Sequence, residues 1–160
     1  MESNNNKISS KRFEYDIAGR ITLIAHSPTV EPWEIPFESI TTLEYDGLSD
    51  KVINPLGQQM VKLKDVRQRL IKSIDNATNE VKYRYDVQGQ LAEIIVGDNE
   101  YKIQYEYDLR GRMTAMVDPV LGREEFTYDG FNNLLSKKDG AGNVTIYTYD
   151  ILNRVKTITQ

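Results

Sequence analysis

Cysteine is absent from this 160-residue chain, and histidine occurs only once. Without cysteine the chain has neither a disulfide framework nor thiol chemistry. A lone histidine cannot assemble a zinc site or a catalytic triad by itself, so His26, which lies two residues before a proline, is interpreted as a loop residue. No apolar run approaches the roughly 18 residues that a membrane-spanning helix requires. The sequence therefore argues against thiol enzymes, zinc proteins and proteins with a membrane span.

The charge balance and the polar start of the chain restrict its partners and its location. The formal net charge is −4, which argues against nucleic acid as the main partner. The first residues contain no apolar segment of the kind found in signal peptides. We therefore expect synthesis in the cytoplasm, followed by export through a dedicated secretion system or by action at the cell surface. Residues 1–12 are predicted to be a disordered leader, and residues 13–160 a single β array with an insertion at about 27–37.

A Tyr-Asp pair recurs along the chain and is its most informative feature. The copies are Tyr15-Asp16, Tyr45-Asp46, Tyr85-Asp86, Tyr107-Asp108, Tyr128-Asp129 and Tyr149-Asp150. The last four begin 22, 21 and 21 residues apart. A degenerate seventh copy begins at Lys64, where lysine replaces tyrosine. A fixed period of about 20 residues indicates an array of one small supersecondary unit.

Each copy has the residue pattern of a β-hairpin. Tyr101, Ile103, Tyr105 and Tyr107 alternate with polar residues, which is typical of a half-buried strand. The aspartate that follows can open a turn, because its carboxylate accepts a hydrogen bond from a backbone N–H two residues later. In five copies a glycine or an asparagine stands three residues after the aspartate, and both tolerate a positive φ, whereas the copies at Tyr45 and Lys64 depart from this pattern. The predicted structural motif residues are Tyr15, Asp16, Gly19, Tyr85, Asp86, Gly89, Tyr107, Asp108, Gly111, Tyr128, Asp129, Asn132, Tyr149, Asp150 and Asn153.

A second and different turn is predicted between successive copies. The segments 54–57, 75–79, 97–99, 118–122 and 139–143 are rich in asparagine, aspartate, proline and glycine. Two turns would then alternate about every ten residues along the chain. The predicted fold class is therefore all-β: a curved antiparallel sheet (meander) of about twelve to fourteen short strands in consecutive hairpins, forming an open or partial shell.

The motif Tyr-Asp-x-x-Gly-Arg-Leu, followed by Asp-Pro-x-Gly and Tyr-x-Tyr-Asp, resembles the YD repeat of the Rhs (rearrangement hotspot) family. Members of this family wind many YD hairpins into a spiralling β strip, which in the large members closes into a shell around a toxic polypeptide. The resemblance implies a bacterial toxin system and a non-catalytic role, as part of an Rhs-type shell that encloses or delivers a polypeptide toxin, with no cofactor and no metal. Expected partners are a polypeptide cargo or further Rhs repeats, and the sheet edges are candidate sites of self-association.

The main alternative function is that of a carbohydrate- or cell-surface-binding module. Exposed tyrosines such as Tyr83 and Tyr105 could stack on sugar rings, and basic residues of the polar face could bind charged glycans. Aromatic pairs across strands also stabilise sheets, and this structural interpretation is favoured. The repeated aspartates could act as catalytic carboxylates or calcium ligands, but a role in turns explains all of them with one cause. The insertion contributes Trp33 and Phe37 as candidate partner contacts.

Overall fold

The computed structural model describes residues 10–27, 39–97 and 101–160, and every regular element in these ranges is a β-strand. The chain divides into two compact units, residues 1–80 and 81–160. The strands of the first unit are β1 (Ser10–Tyr15), β2 (Ile21–Ser27), β3 (Ser39–Asp46), β4 (Ser49–Ile53), β5 (Gln59–Lys64) and β6 (Leu70–Ile74). The second unit contains β7 (Glu80–Tyr85), which begins at the last residue of the first unit, β8 (Leu91–Val96), β9 (Tyr101–Tyr107), β10 (Met113–Asp118), β11 (Gly122–Tyr128), β12 (Leu134–Lys138), β13 (Val144–Tyr149) and β14 (Val155–Thr159). Among the residues described, no helix is long and apolar enough to cross a membrane.

Within each unit, every strand pairs antiparallel with the strand that follows it in the chain. The predicted all-β antiparallel meander is therefore confirmed, with 14 strands in the described ranges. The register shifts beside the Tyr-Asp turns: Thr148 pairs with Thr157, whereas the next residue, Tyr149, pairs with Val155. A shift of this kind is a β-bulge, and it accommodates the additional residue that the turn carries.

The sheet of each unit is one layer thick, and this leaves its side chains only partly buried. Among the described residues, the buried apolar side chains are Ala25, Ile95 and Ala115, and none of the large side chains is fully buried. The alternation in β9 is as predicted, since Tyr105 and Tyr107 are half-buried while Gln104 and Glu106 between them are exposed. The aromatic face is thus packed by its own cross-strand neighbours, as aromatic side chains commonly pack in sheets.

Two sequence-based assignments of residues that lie in strands are wrong. His26 lies within β2, opposite Lys11 on one side and Ser39 on the other, and is not a loop residue. The apolar and β-branched run from Ile21 to Ala25 favours a strand, and pairing on both sides extends that strand through His26. Strand β1 begins at Ser10, so residues 10–12 belong to the array and not to the leader. The remainder of the predicted leader, and the part of the insertion that holds Trp33 and Phe37, lie outside the described residues.

Candidate functional site: aspartate turns and tyrosine clamps

The Tyr-Asp hairpins, except the one that follows Tyr45, each close around one aspartate carboxylate. In the hairpin of Asp108, Oδ1 accepts the backbone N–H groups of Arg110 at 2.8 Å and of Arg112 at 3.0 Å, and Oδ2 accepts Nε of Arg112 at 2.7 Å. The backbone N–H of Gly111 donates to the carbonyl of Asp108 at 2.9 Å, and Gly111 has a φ of +83°. This is a type I turn followed by a left-handed residue, which is why glycine or asparagine stands three residues after the aspartate.

The same geometry, which we call the aspartate turn, recurs in both units. Its carboxylate acceptors, all with hydrogen bonds from the residue four positions later, are Asp16, Asp65, Asp86, Asp108, Asp129 and Asp150. Its left-handed residues are Gly19, Gln68, Gly89, Gly111, Asn132 and Asn153. The structure therefore places the predicted Asp and Gly/Asn motif residues in one repeated turn, where each carboxylate bonds to its own hairpin.

The hydrogen bonds of the aspartate turn hold the carboxyl groups in their charged form. The backbone N–H of Arg112, followed by its side chain, lowers the pKa of Asp108 despite some desolvation. The side chain and then the backbone N–H of Arg154 lower the pKa of Asp150. For Asp129 the side-chain amide of Asn133 contributes most to lowering the pKa. These carboxylates are thus poorly suited to take up a proton near neutral pH, as a general base must.

Three of the segments between copies form the same turn, although the sequence predicts a different one. Asn54, Asp75 and Asp139 each use Oδ1 to accept the backbone N–H groups two and four residues later, at 2.8 to 3.0 Å. Their left-handed residues are Gly57, Thr78 and Gly142. The sequence signal for this turn is an amide side chain four residues after the first turn residue. Gln58, Asn79 and Asn143 supply that amide, and each shares a hydrogen bond of 2.8 Å with the side chain of the first turn residue.

The turn between β10 and β11 is of another kind and contains the one buried charged residue among those described. Asp118 is 6% exposed, and its Oδ1 accepts the backbone N–H groups of Val120 at 2.7 Å and Leu121 at 2.9 Å. The hydroxyl of Tyr101 donates to both oxygens of Asp118, at 2.9 and 2.8 Å. These bonds, led by the one from Leu121, lower the pKa of Asp118, and the bond to Asp118 raises the pKa of Tyr101. The pair fixes the start of β9 to the end of β10.

The tyrosine of the Tyr-Asp pair connects one hairpin to the preceding one. Its hydroxyl donates to the backbone carbonyl of the first residue in the second strand of the preceding hairpin. These bonds, which we call tyrosine clamps, are Tyr45 to Ile21 at 2.9 Å, Tyr107 to Leu91 at 2.9 Å, Tyr128 to Met113 at 2.9 Å, and Tyr149 to Leu134 at 2.8 Å. Sequence reasoning gave these tyrosines a packing role and missed the clamps, because the acceptor is a main-chain atom that residue identity does not reveal.

The arginine that closes an aspartate turn also reaches the next hairpin. The guanidinium of Arg20 lies over the ring of Tyr45, 4.3 Å from its centroid, and that of Arg112 lies 4.9 Å from the centroid of Tyr128. Nη1 of Arg112 also donates to the backbone carbonyl of Asp129 at 2.7 Å. A guanidinium stacked on an aromatic face gains a cation–π attraction. The clamp and the arginine together form a socket for the tyrosine of the following hairpin.

The degenerate copies at Tyr45 and Lys64 differ from the other hairpins in their turn and in their clamp residue, and these differences explain their sequences. The hairpin after Tyr45 has only two loop residues, Gly47 with a φ of +59° and Leu48, which fits a type II′ turn. The shorter loop explains why this segment does not align with the other copies. Lys64, in place of a clamp tyrosine, pairs with the carboxylate of Asp50. Its backbone N–H donates to the carbonyl of Leu48 at 2.8 Å.

The described residues show no cluster of three or more metal-ligating side chains. Two basic side chains of the polar face lie in cross-strand ion pairs. Arg84 lies opposite Glu93 and bonds to it at 3.0 Å, and Arg123 bonds to Glu106 at 2.6 and 2.8 Å. Paired in this way, both cations are neutralised by their neighbours.

Comparison with known proteins agrees with the repeat pattern. The RHS Repeat family model matches residues 128–160. Double-stranded DNA deaminase toxin A of Burkholderia cenocepacia (strain H111) is 34% identical over 103 residues, which cover 62% of this chain and 7% of that protein. The crystal structure of TcdB2-TccC3-Cdc42 superposes with a TM-score of 0.74 at 16% identity, over 94% of this chain and 8% of that one. The Tc holotoxin pore of Photorhabdus luminescens gives a TM-score of 0.55 at 16% identity, over 97% of this chain and 10% of that one.

The chain thus spans at most a tenth of the length of each of these proteins. The structural likenesses, at 16% identity, show a shared fold of consecutive β-hairpins. The family match ends with the hairpin of Tyr149-Asp150, and the same motif and the same turn geometry recur in the preceding copies. Residues 128–160 of this chain thus match the RHS repeat, and the preceding hairpins resemble it in motif and in turn geometry.

Proposed function

We propose that this chain is a non-catalytic segment of an RHS-type β shell that encloses or delivers a polypeptide toxin. The observation that carries the proposal is a sheet one layer thick, which buries only a few of its described side chains. A layer that buries so few side chains has little core of its own, so it needs further surface to pack against.

The tips of the aspartate turns support this role. The residue directly after the aspartate is apolar and almost fully exposed in Ile17, Val66, Val87, Leu109 and Ile151. Single exposed apolar residues are common, but the same turn position is apolar in five hairpins. We assign these tips to contact with further RHS repeats or with the polypeptide cargo.

The chemistry of the hairpins favours a structural role over catalysis. Every aspartate of the turns is bonded to its own backbone, and the lowered pKa of residues such as Asp108 keeps it charged. An acid–base pair needs two convergent groups with separated pKa values, whereas these carboxylates lie in successive turns with the same environment. The deaminase toxin is named for an activity of a much longer protein, and in this proposal that activity belongs to another part of its chain.

The alternative of a carbohydrate-binding module has less support. Sugar-binding tyrosines usually offer a free ring face and a free hydroxyl. Here the hydroxyls of Tyr45, Tyr107, Tyr128 and Tyr149 are donated to main-chain carbonyls, and two of these rings lie under arginines. These four hydroxyls and two of these ring faces already make contacts within the sheet, so they are not free to bind a sugar.

Site-specific photo-crosslinking tests the proposal. A photoreactive phenylalanine analogue replaces Leu109 at an exposed turn tip, and in a matched control it replaces Gln104 on the polar face. After irradiation in the native host, mass spectrometry identifies the joined peptides. The shell role predicts peptides of RHS repeats or of a toxin polypeptide from the Leu109 position. If no polypeptide is cross-linked, and if the chain binds a glycan with an affinity that Tyr105→Ala abolishes, the shell role is wrong and the chain is a binding module.

A further inference from the structure

A groove of about 430 Å³ lies in the second unit, between the hairpin of Asp86 and the hairpin that follows it. Asp86 and Gln90 line it from the first hairpin, and Tyr105, Tyr107 and Leu109 line it from the second. The groove thus belongs to the face of the sheet that carries these tyrosines. Its volume is within the range of roughly 300 to 1,000 Å³ that is common for ligand sites.

The equivalent place in two other hairpins is filled by an arginine of the chain itself. Nε of Arg112 donates to Oδ2 of Asp108 at 2.7 Å, and its guanidinium lies 4.9 Å from the ring centroid of Tyr128 in the next hairpin. Arg20 makes the same two contacts in the first hairpin, at 2.7 and 4.3 Å. The carboxylate of an aspartate turn and the ring of the next clamp tyrosine therefore hold a guanidinium between them.

In the hairpin of Asp86, glutamine replaces this arginine and its side chain bonds elsewhere. The backbone N–H of Gln90 donates to Oδ1 of Asp86 at 2.8 Å, as in the other aspartate turns, but its side-chain amide donates to the carbonyl of Gly111 at 3.0 Å. Within the described ranges, no group donates to Oδ2 of Asp86, and no cation lies over the ring of Tyr107. The groove thus keeps the two partners of a guanidinium and lacks the guanidinium.

The charges around the groove favour a cationic ligand. Asp86 forms no ion pair with any residue that the structure describes, and it is only half-buried. Desolvation raises the pKa of the Tyr107 hydroxyl most, and the charges of Tyr105 and Asp86 raise it further. Arg110 also lines the groove, but its Nη1 donates to the carbonyl of Gly130 in the following hairpin at 3.1 Å. The negative charge of Asp86 is therefore left to a partner.

We propose that this groove binds an arginine side chain of a polypeptide partner, with the guanidinium between Oδ2 of Asp86 and the ring of Tyr107. The proposal rests on the shell role, because that role supplies the polypeptide that the sheet contacts. Arginine fits better than lysine, since its planar group both donates to a carboxylate and stacks on an aromatic ring. Leu109 is fully exposed beside the groove and would contact an apolar neighbour of that arginine.

A second groove, also of about 430 Å³, provides a comparison within the same unit. It lies between the hairpin of Asp129 and the ring of Tyr149. Here the side-chain amide of Asn133 donates to Oδ2 of Asp129 at 2.8 Å, and Arg112 donates to the carbonyl of Asp129 at 2.7 Å. Because this carboxylate already has a donor and a neighbouring cation, we expect the second groove to bind arginine more weakly than the first.

A nuclear magnetic resonance titration of the full chain with a short probe peptide tests the site. The probe is acetyl-Leu-Arg-Leu-amide, and the control peptide carries citrulline, a neutral isostere, in place of arginine. We expect the probe to shift the backbone amide signals of residues 86–91 and 105–111. It should bind about three- to tenfold more tightly than the control, the effect of one screened ion pair and one cation–π contact. Equal affinities of the two peptides, or no shifts at these residues, would overturn the arginine site.

Three variants locate the binding in the groove. Gln90→Arg places a guanidinium of the chain itself there and should abolish the binding, whereas Gln104→Arg adds the same charge on the opposite face and should leave it unchanged. Asp86→Asn should weaken the binding about three- to tenfold, and it is compatible with the turn, because Asn54 begins the same turn. Circular dichroism shows that each variant is folded.

The variants also separate this site from the shell role. If the probe binds equally to the native chain and to Gln90→Arg, the arginine site is wrong. If a photoreactive group at Leu109 is cross-linked to a polypeptide while the probe does not bind, the arginine site is wrong and the shell role stands.

Discussion

Removal of a single tyrosine hydroxyl measures what a clamp contributes to the stability of the array. Tyr107→Phe deletes the hydroxyl that donates to the carbonyl of Leu91 at 2.9 Å and leaves the ring in place. Tyr105 lies two residues earlier on the same face of β9 and is also half-buried, but its hydroxyl makes no hydrogen bond within the described part of the chain. Tyr105→Phe is therefore a matched control that changes the same atoms without breaking a clamp.

The expected magnitude follows from the setting of the bond. A net intramolecular hydrogen bond contributes about 0.5 to 1.5 kcal/mol to the free energy of unfolding, because water replaces the lost partner in part. The carbonyl of Leu91 is on a sheet one layer thick, where water can approach, so we expect a loss of about 1 kcal/mol for Tyr107→Phe. The control should change the free energy of unfolding by less than about 0.5 kcal/mol, as is usual for surface substitutions.

Urea unfolding followed by far-ultraviolet circular dichroism provides the assay. The two variants should have the same slope against urea as the native chain, and Tyr107→Phe should have a lower midpoint. Phe13 and Phe126 occupy the position of Tyr105 in other copies, which supports a neutral outcome for the control. Equal midpoints for the two variants would refute the clamp as a source of stability.

Three further outcomes follow from the turns. Gly140→Ala would place its Cβ against the carbonyl oxygen of Leu121 and should cost about 1 to 3 kcal/mol in urea unfolding, whereas Gly130→Ala meets nothing within 4 Å and should be nearly neutral. Because Asp108 has a lowered pKa in the folded state, it stabilises the fold above its unfolded pKa of about 3.9 and loses that contribution as pH falls further. Asp108→Asn should therefore be less stable than the native chain at pH 7 and converge with it in acid titrations followed by circular dichroism, and a constant difference at all pH values would contradict this. Gln68→Gly relieves a φ of +63° and should stabilise by up to about 1 kcal/mol, so a lower urea midpoint would count against strain at this turn.

The strand order and the aspartate turns could be predicted from the sequence, because their determinants are local. The alternation in β9 and the glycine or asparagine after each aspartate follow from the two-residue period of a strand and from the φ that a turn requires. The sequence predicts a different geometry for the turns at Asn54, Asp75 and Asp139, since their first residues lack the preceding tyrosine. In each of them an amide side chain four residues later bonds to the first turn residue, as the arginine does in the hairpin of Asp108.

The contacts between hairpins could not be predicted in the same way. A tyrosine clamp joins residues 15 to 24 positions apart and ends on a backbone atom, so no pair of residue types marks it. The position of His26 was missed for a related reason, because pairing with strands on both sides extended β2 beyond its apolar run. Pairing between strands thus overrides local preference where the two differ.

The most direct test of the shell role is an electron cryomicroscopy structure of the assembly isolated from the native host through a tag on this chain. The account predicts that these hairpins form part of a β wall with one face against a polypeptide, and that the clamps of Tyr107 and Tyr128 are intact within it. A chain with both faces in solvent, or with a glycan on its tyrosines and no polypeptide beside it, would contradict the account.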